Sequence, residues 1–125
     1  MSATNRVIHF EDLRIWQQAR RLVASVYRDF KTGTGSRDFG FKDQVQRAGV
    51  SIMNNIAEGF ERSSDNEFAR FPDYAKGSCG ELRNMYYIAE DQGYVESQIA
   101  TERRSDARKI SCGIASLSKH LRGPP

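Results

Sequence analysis

Arg47, Ser51, Asn55 and Glu58 follow one another at steps of three and four within the stretch Gln44–Phe60. On a helix that spacing sets four hydrogen-bonding groups in one line. An arginine there can grip a carboxylate or a phosphate, while serine and asparagine both donate and accept. The same groups can equally serve the fold, because buried polar atoms must be paired and such pairs fix helix register. The structural use is the expectation: Arg47 pairs with an acid on another helix, and Asn55 bridges backbone or a facing side chain. Glu58 is disfavoured near a helix C-terminus, so Arg62 or Lys76 should compensate it.

Other groups that could do chemistry fall short of a catalytic set. Glu58 and Glu61 have the separation of an acid/base pair, but sit at a helix end among cations where salt bridges are expected. His9 and His120 lie at opposite ends of the chain, with no cysteine or carboxylate at ligand spacing and no nucleophile to activate. Gly33 and Gly35 lack the preceding strand, third glycine and Lys-Ser/Thr of a phosphate loop. No enzyme, metal or cofactor is expected.

Charge is the stronger signal. The net charge is +3, distributed as +3 over residues 1–40, −4 over 41–96 and +4 over 97–125, and 14 of the 19 cations are arginine. Arg14, Arg20, Arg21 and Arg28 near the start, with Arg103, Arg104, Arg108 and Lys109 near the end, could line a phosphate-binding face for RNA or DNA. The pattern equally allows acidic and basic faces to pair between subunits. No aromatic-interleaved platform or base-reading motif is apparent, so nucleic-acid binding would be backbone-directed and salt-sensitive.

Four helices would position these groups. The 125 residues suit one domain, and 38% apolar with 28% charged residues suits a globular chain. Residues 1–9 read as a lead-in without periodicity. The first helix, about 10–31, opens on Phe10-Glu11-Asp12-Leu13 and carries two apolar stripes. Leu13, Trp16, Val23, Tyr27 and Phe30 make one, and Ile15, Ala19, Leu22 and Val26 the other. A helix covered on one side needs only one stripe, so the second is assigned to contact with another copy of the chain. Thr32–Gly40 reads as a loop. The second helix, about 41–58, buries Val45, Ala48, Ile52 and Ile56 and should stop at Gly59. Ser64-Asp65-Asn66-Glu67 has the form of a capping box for a third helix, about 65–92, with a kink or a start near Pro72 and an end at Gly93-Tyr94. Its inner stripe runs from Phe68 to Ala89. The fourth, about 97–122, follows Ser97 with Ile99, Arg103, Ala107, Ile110, Ile114, Leu117 and Leu121 inward, and Gly123-Pro124-Pro125 ends it. The expected fold is an all-α, antiparallel up-down-up-down four-helix bundle. Cys79 and Cys112 should be free thiols. No apolar run would cross a membrane, and the lack of a secretory signal points to the cytoplasm.

Several stretches are familiar: Phe10 to Ala19, Gln44 to Arg47-Ala48 and Ser51-Ile52, Asn55-Ile56-Ala57-Glu58-Gly59, Glu67-Phe68, Ala75-Lys76-Gly77-Ser78, and Glu81-Leu82. In order from Phe10 to about Leu121, they resemble the four-helix-bundle proteins named for intervening sequences of bacterial 23S rRNA genes. The chain is also similar to the accessory proteins of diversity-generating retroelements, which bind nucleic acid and a reverse transcriptase. The resemblance implies a ring-shaped homopentamer and a polar network of Arg47, Ser51, Asn55, Glu58, Arg62, Lys76, Ser78 and Glu81. Met53-Asn54 replaces a usual Pro-Ser, and Pro72 stands where an aliphatic residue is common. Two roles follow: a homo-oligomer that binds nucleic acid, or a scaffold that docks a protein through its acidic middle or the small residues near Gly77.

Overall fold

A computed structural model describes residues 9–62 and 71–122. The described residues form four α-helices and no strand. A 3-10 turn, Phe10–Asp12, precedes α1, Arg14–Asp29, and a second, Thr34–Arg37, precedes α2, Phe39–Phe60. Then come α3, Phe71–Asp91, and α4, Ser97–Arg122. The capping box at 64–67, Phe68 and the stop at 123–125 lie outside the described residues.

The ends that meet give the topology. Asp29, closing α1, bonds Arg103 in the second turn of α4, while Gly113, later in α4, lies against Ile15 at the start of α1. Those two helices are therefore antiparallel. Tyr86, late in α3, also bonds Asp29, so α3 runs with α1. Phe41, early in α2, stacks at 5.8 Å on Phe30 and 5.5 Å on Tyr94, so α2 opposes both. Each helix packs on two neighbours, the up-down-up-down arrangement expected.

Each helix sends one stripe into the core. Val45, Ala48, Ile52 and Ile56 of α2 are buried, as are Ala75, Cys79, Leu82, Met85, Tyr86 and Ala89 of α3, and Ala100, Ala107, Ile110 and Ile114 of α4. Alanines at many of these positions let the backbones approach closely. On α1 the stripe assignment is corrected: Ile15, Ala19, Leu22 and Val26 are buried in the chain's own core. They are not available to another copy. Leu13 and Phe30 of the other stripe are buried too, Trp16 and Val23 are half-buried, and Tyr27 is exposed.

Local chemistry sets the ends. Leu13 has extended backbone (φ −70°, ψ 127°), so the acidic Phe10–Asp12 turn is separate from α1. Gln17 holds it by donating Nε2–H to the Glu11 carbonyl at 2.9 Å. Asp38 caps α2 by accepting from the Phe41 amide. Gly59 does not stop α2 as expected; it is buried inside the helix, without a positive φ, and the helix ends one residue later at Phe60 with Glu61 as its cap. Gly93, at φ 73°, does end α3, with the Gly93 amide on Glu90 and the Tyr94 amide on Ala89, a Schellman closure.

That closure brings Tyr94 to the start of α2. Its hydroxyl donates to Asp38 Oδ2 at 2.6 Å, and Gly35 lies so close that an added Cβ would sit 2.9 Å from the Tyr94 Cβ. The Tyr94 bond, with the Phe41 amide, holds the Asp38 carboxyl below its ordinary value. A depressed carboxylate stabilises the fold fully above its unfolded pKa, about 4, and loses that contribution as pH falls through the lower folded value. Tyr94→Phe should therefore lower the melting temperature at pH 7, with the gap to the parent narrowing below about pH 4. Thermal melts across pH 2.5–7 check this; a gap independent of pH would refute it.

Candidate nucleic-acid interface

The eight cations expected to form a phosphate face divide into two groups. Arg103, only 7% exposed, points inward. Its Nε donates to Asp29 Oδ2 at 2.7 Å and its second terminal nitrogen to Oδ1 at 2.9 Å, a bidentate pair. Tyr86 donates its hydroxyl to Oδ2 of the same carboxylate at 2.7 Å. The Asp29 bond holds the guanidinium pKa up, and burial beside Asp29 raises that of the Tyr86 phenol. Asp29 is the last residue of α1, where the helix dipole disfavours an anion and a cation is needed. Arg104 is also engaged: it donates to Glu90 at 2.9 Å and lies 4.0 Å over the Tyr87 ring. Arg103 and Arg104 thus leave the basic face, because each is taken by a partner within the fold.

Arg14, Arg20, Arg21, Arg28, Arg108 and Lys109 remain exposed. Arg14, Arg21 and Arg28 are seven residues apart, which on a helix means one side and a rise of about 10.5 Å per step. A groove of about 300 Å³ runs between α1 and α4, and Arg21 and Lys109 both line it, with Gln18 and Ser25 beside them and Leu22 and Ile110 as floor. Asp106 is the one carboxylate among the described residues that line it. The structure therefore brings the two basic segments together at Arg21 and Lys109.

The polar line of α2 is mainly structural. Ser51 Oγ lies 2.8 Å from Ser78 Oγ across the α2–α3 seam, and Asn55 Nδ2 donates to the Ser51 carbonyl at 2.8 Å and to its hydroxyl at 3.1 Å. Glu58 is held by Arg62 at 2.9 Å, as expected, and the Arg62 guanidinium also lies 4.9 Å over the Phe71 ring. Arg47 instead finds Asp43 at 2.8 Å on its own helix, not an acid on another. Lys76 and Glu81 are exposed and make none of the bonds of this network.

Other chemistry is sparse. Cys79 and Cys112 are free, and burial pushes the Cys79 thiol up to about 12, so it stays protonated. No group of three or more His, Cys, Asp and Glu among the described residues could hold a metal ion. None of the described helices is long and apolar enough to cross a membrane.

The family model for 23S rRNA-intervening sequence proteins matches residues 11–116. The chain belongs to that family. A protein of unknown function from the S23 ribosomal protein family of Bacteroides thetaiotaomicron, known from a crystal structure, has the same fold. It aligns with a TM-score of 0.77 at 18% identity, over 84% of this chain and 98% of that one. No curated protein matches. In this family member, the Asp29–Arg103–Tyr86 cluster and the Asp38–Tyr94 bond are the polar features that sequence reasoning missed. One signal was available: Arg103 falls on the inward stripe of α4, and an arginine there needs a buried acid.

Removing one partner of a buried pair strands the other. Arg103→Ala should cost about 3–5 kcal/mol in urea unfolding, whereas Arg47→Ala, at an exposed pair, should leave the midpoint nearly unchanged. Equal effects of the two substitutions would contradict the assignment.

Proposed function

We propose that this bundle is a non-enzymatic homo-oligomer, a pentamer as its family resemblance implies, that holds the phosphate backbone of RNA or DNA along α1 and α4. The observation that carries the reading is the α1–α4 groove, where Arg21 and Lys109 converge with Arg14 and Arg28 along the same side of α1. The two cations line a trough with one carboxylate among its described residues, a setting that favours a polyanion. Repetition of the trough around a ring axis would multiply the field. Reversing Arg103 would not test this, since it would unfold the bundle. Arg21→Glu with Lys109→Glu, both at exposed positions, should weaken binding to labelled RNA or DNA at least about tenfold and lower the salt slope by about two. Anisotropy titrations at several salt concentrations read both. Unchanged affinity and slope would end the proposal.

A second reading, docking of a protein partner, is favoured by the outer face of α3. Tyr74 (62% exposed), Tyr87 and Ile88 are exposed there beside Gly77 and Gly80, where added Cβ atoms would meet nothing within 4 Å. Glycine inside a helix costs about 1 kcal/mol relative to alanine, and nothing among the described residues needs its small size at these two sites. With the inner α1 stripe sealed, this face is the surface proposed for self-association. Tyr74→Ser with Ile88→Ser should convert an oligomer to a monomer in size-exclusion light scattering, with the helical signal retained. A parent chain that is monomeric at high concentration removes the oligomer. A stoichiometric foreign protein on the α3 face, together with no nucleic-acid binding at low salt, selects the second reading.

A further inference from the structure

We infer that the groove between α1 and α2 seats one unpaired adenine base of a strand whose phosphates run along α1. The inference rests on the nucleic-acid reading above and adds what is recognised. The groove is open to solvent and offers about 570 Å³, room for a nucleotide. Tyr27, 47% exposed, lines one wall from α1, and Gln46, Asn54 and Val50 line the other from α2. An exposed aromatic ring is a stacking surface for any base that leaves a helix. The carboxamides of Gln46 and Asn54 make no side-chain hydrogen bond among the described residues. An amide presents a donor and an acceptor side by side, the complement of adenine N7 and N6–H₂.

Charge separates base from backbone here. Among the described residues, Asp43 and Glu58 line the groove with Arg47 as the single cation, so a phosphate inside would meet two carboxylates. A neutral base meets no such penalty. Outside the groove, Arg20 precedes Tyr27 by seven residues and shares its side of α1, and Arg28 is the next residue. Both are exposed and cationic, so the sugar-phosphate chain finds its counter-charge on α1 while the base turns inward. In a duplex the adenine N7/N6 edge faces the major groove, but both faces of the base are stacked on its neighbours and closed to the Tyr27 ring. Single strands or loops are therefore the substrate class.

The test uses the full chain and three probes, each carrying a terminal fluorophore: a short oligoadenylate, an abasic strand of equal length, and an RNA duplex. In anisotropy titrations the parent should bind the oligoadenylate about tenfold more tightly than either control. Tyr27→Ala and Asn54→Ala should each erase most of that preference while keeping the affinity for the abasic strand, and Tyr27→Phe should retain it. If Tyr27→Ala fails to fold, the Asn54→Ala and Tyr27→Phe pair decides alone. Equal binding of all three probes, or variants that keep the parent's preference, overturns the base seat. In that case, loss of binding in Arg21→Glu with Lys109→Glu would leave the backbone reading standing. A parent that binds none of the three probes at low salt removes both.

Discussion

A carboxylate at the end of α1 and a guanidinium near the start of α4 are both withdrawn from water, and the arrangement of the bundle follows from how they are satisfied. Desolvating two ions costs several kcal/mol each, and mutual attraction offsets this only when geometry is good and the remaining lone pairs are filled. Asp29 and Arg103 meet in a bidentate pair, and Tyr86 supplies a third bond to the carboxylate. As stability, the cluster adds little beyond a well-packed apolar substitute. As register, it adds a great deal. Sliding α1 by one turn against α4, or tilting α3 away, leaves a charge buried without its partner. Three of the four helices are fixed to one another at that end.

The fourth is fixed by a parallel device. Asp38 caps α2 and receives the Tyr94 hydroxyl from the chain segment that follows α3, while Phe41 of α2 packs between Phe30 and Tyr94. One end of the bundle therefore gathers Phe30, Phe41, Tyr86 and Tyr94 around Asp29 and Asp38. The middle of the α2–α3 seam carries the Ser51–Asn55–Ser78 bonds instead. With these polar groups spent on the fold, the surfaces left over differ in character. The α1–α4 groove is cationic, the α1–α2 groove mixes amides with an aromatic ring, and the outer side of α3 exposes Tyr74, Tyr87 and Ile88 among polar residues.

Periodicity carried most of the architecture. The apolar positions of α2 and α4 were readable because each helix has one stripe, and the α4 bounds coincide with the expected 97–122. It failed where a pattern was degenerate. On α1 both stripes are apolar, and which one faces inward depends on helices distant in sequence. Tertiary packing chose the stripe of Ile15, Ala19, Leu22 and Val26, and took Leu13 and Phe30 as well. Gly59 illustrates a second limit: a glycine near a helix end can serve as a stop or as a small residue inside the last turn, and its φ cannot be read from its type. Arg103 shows a third. Charge invited a surface assignment, while its place in the α4 stripe argued for burial, and the position was the better guide.

The candidate site was legible in kind and not in geometry. A basic start and a basic end were visible as totals, but only the antiparallel contact of α1 with α4 brings Arg21 opposite Lys109. Tyr27 was assigned to an apolar stripe of α1, and Gln46 and Asn54 of α2 were given no role. The crossing of two helices makes them opposite walls of one groove. An absence of base-reading motifs in the linear sequence therefore carries little weight for a helical bundle. Its readers need not be neighbours in the chain, because any two helices that pack side by side leave a furrow whose walls are drawn from both.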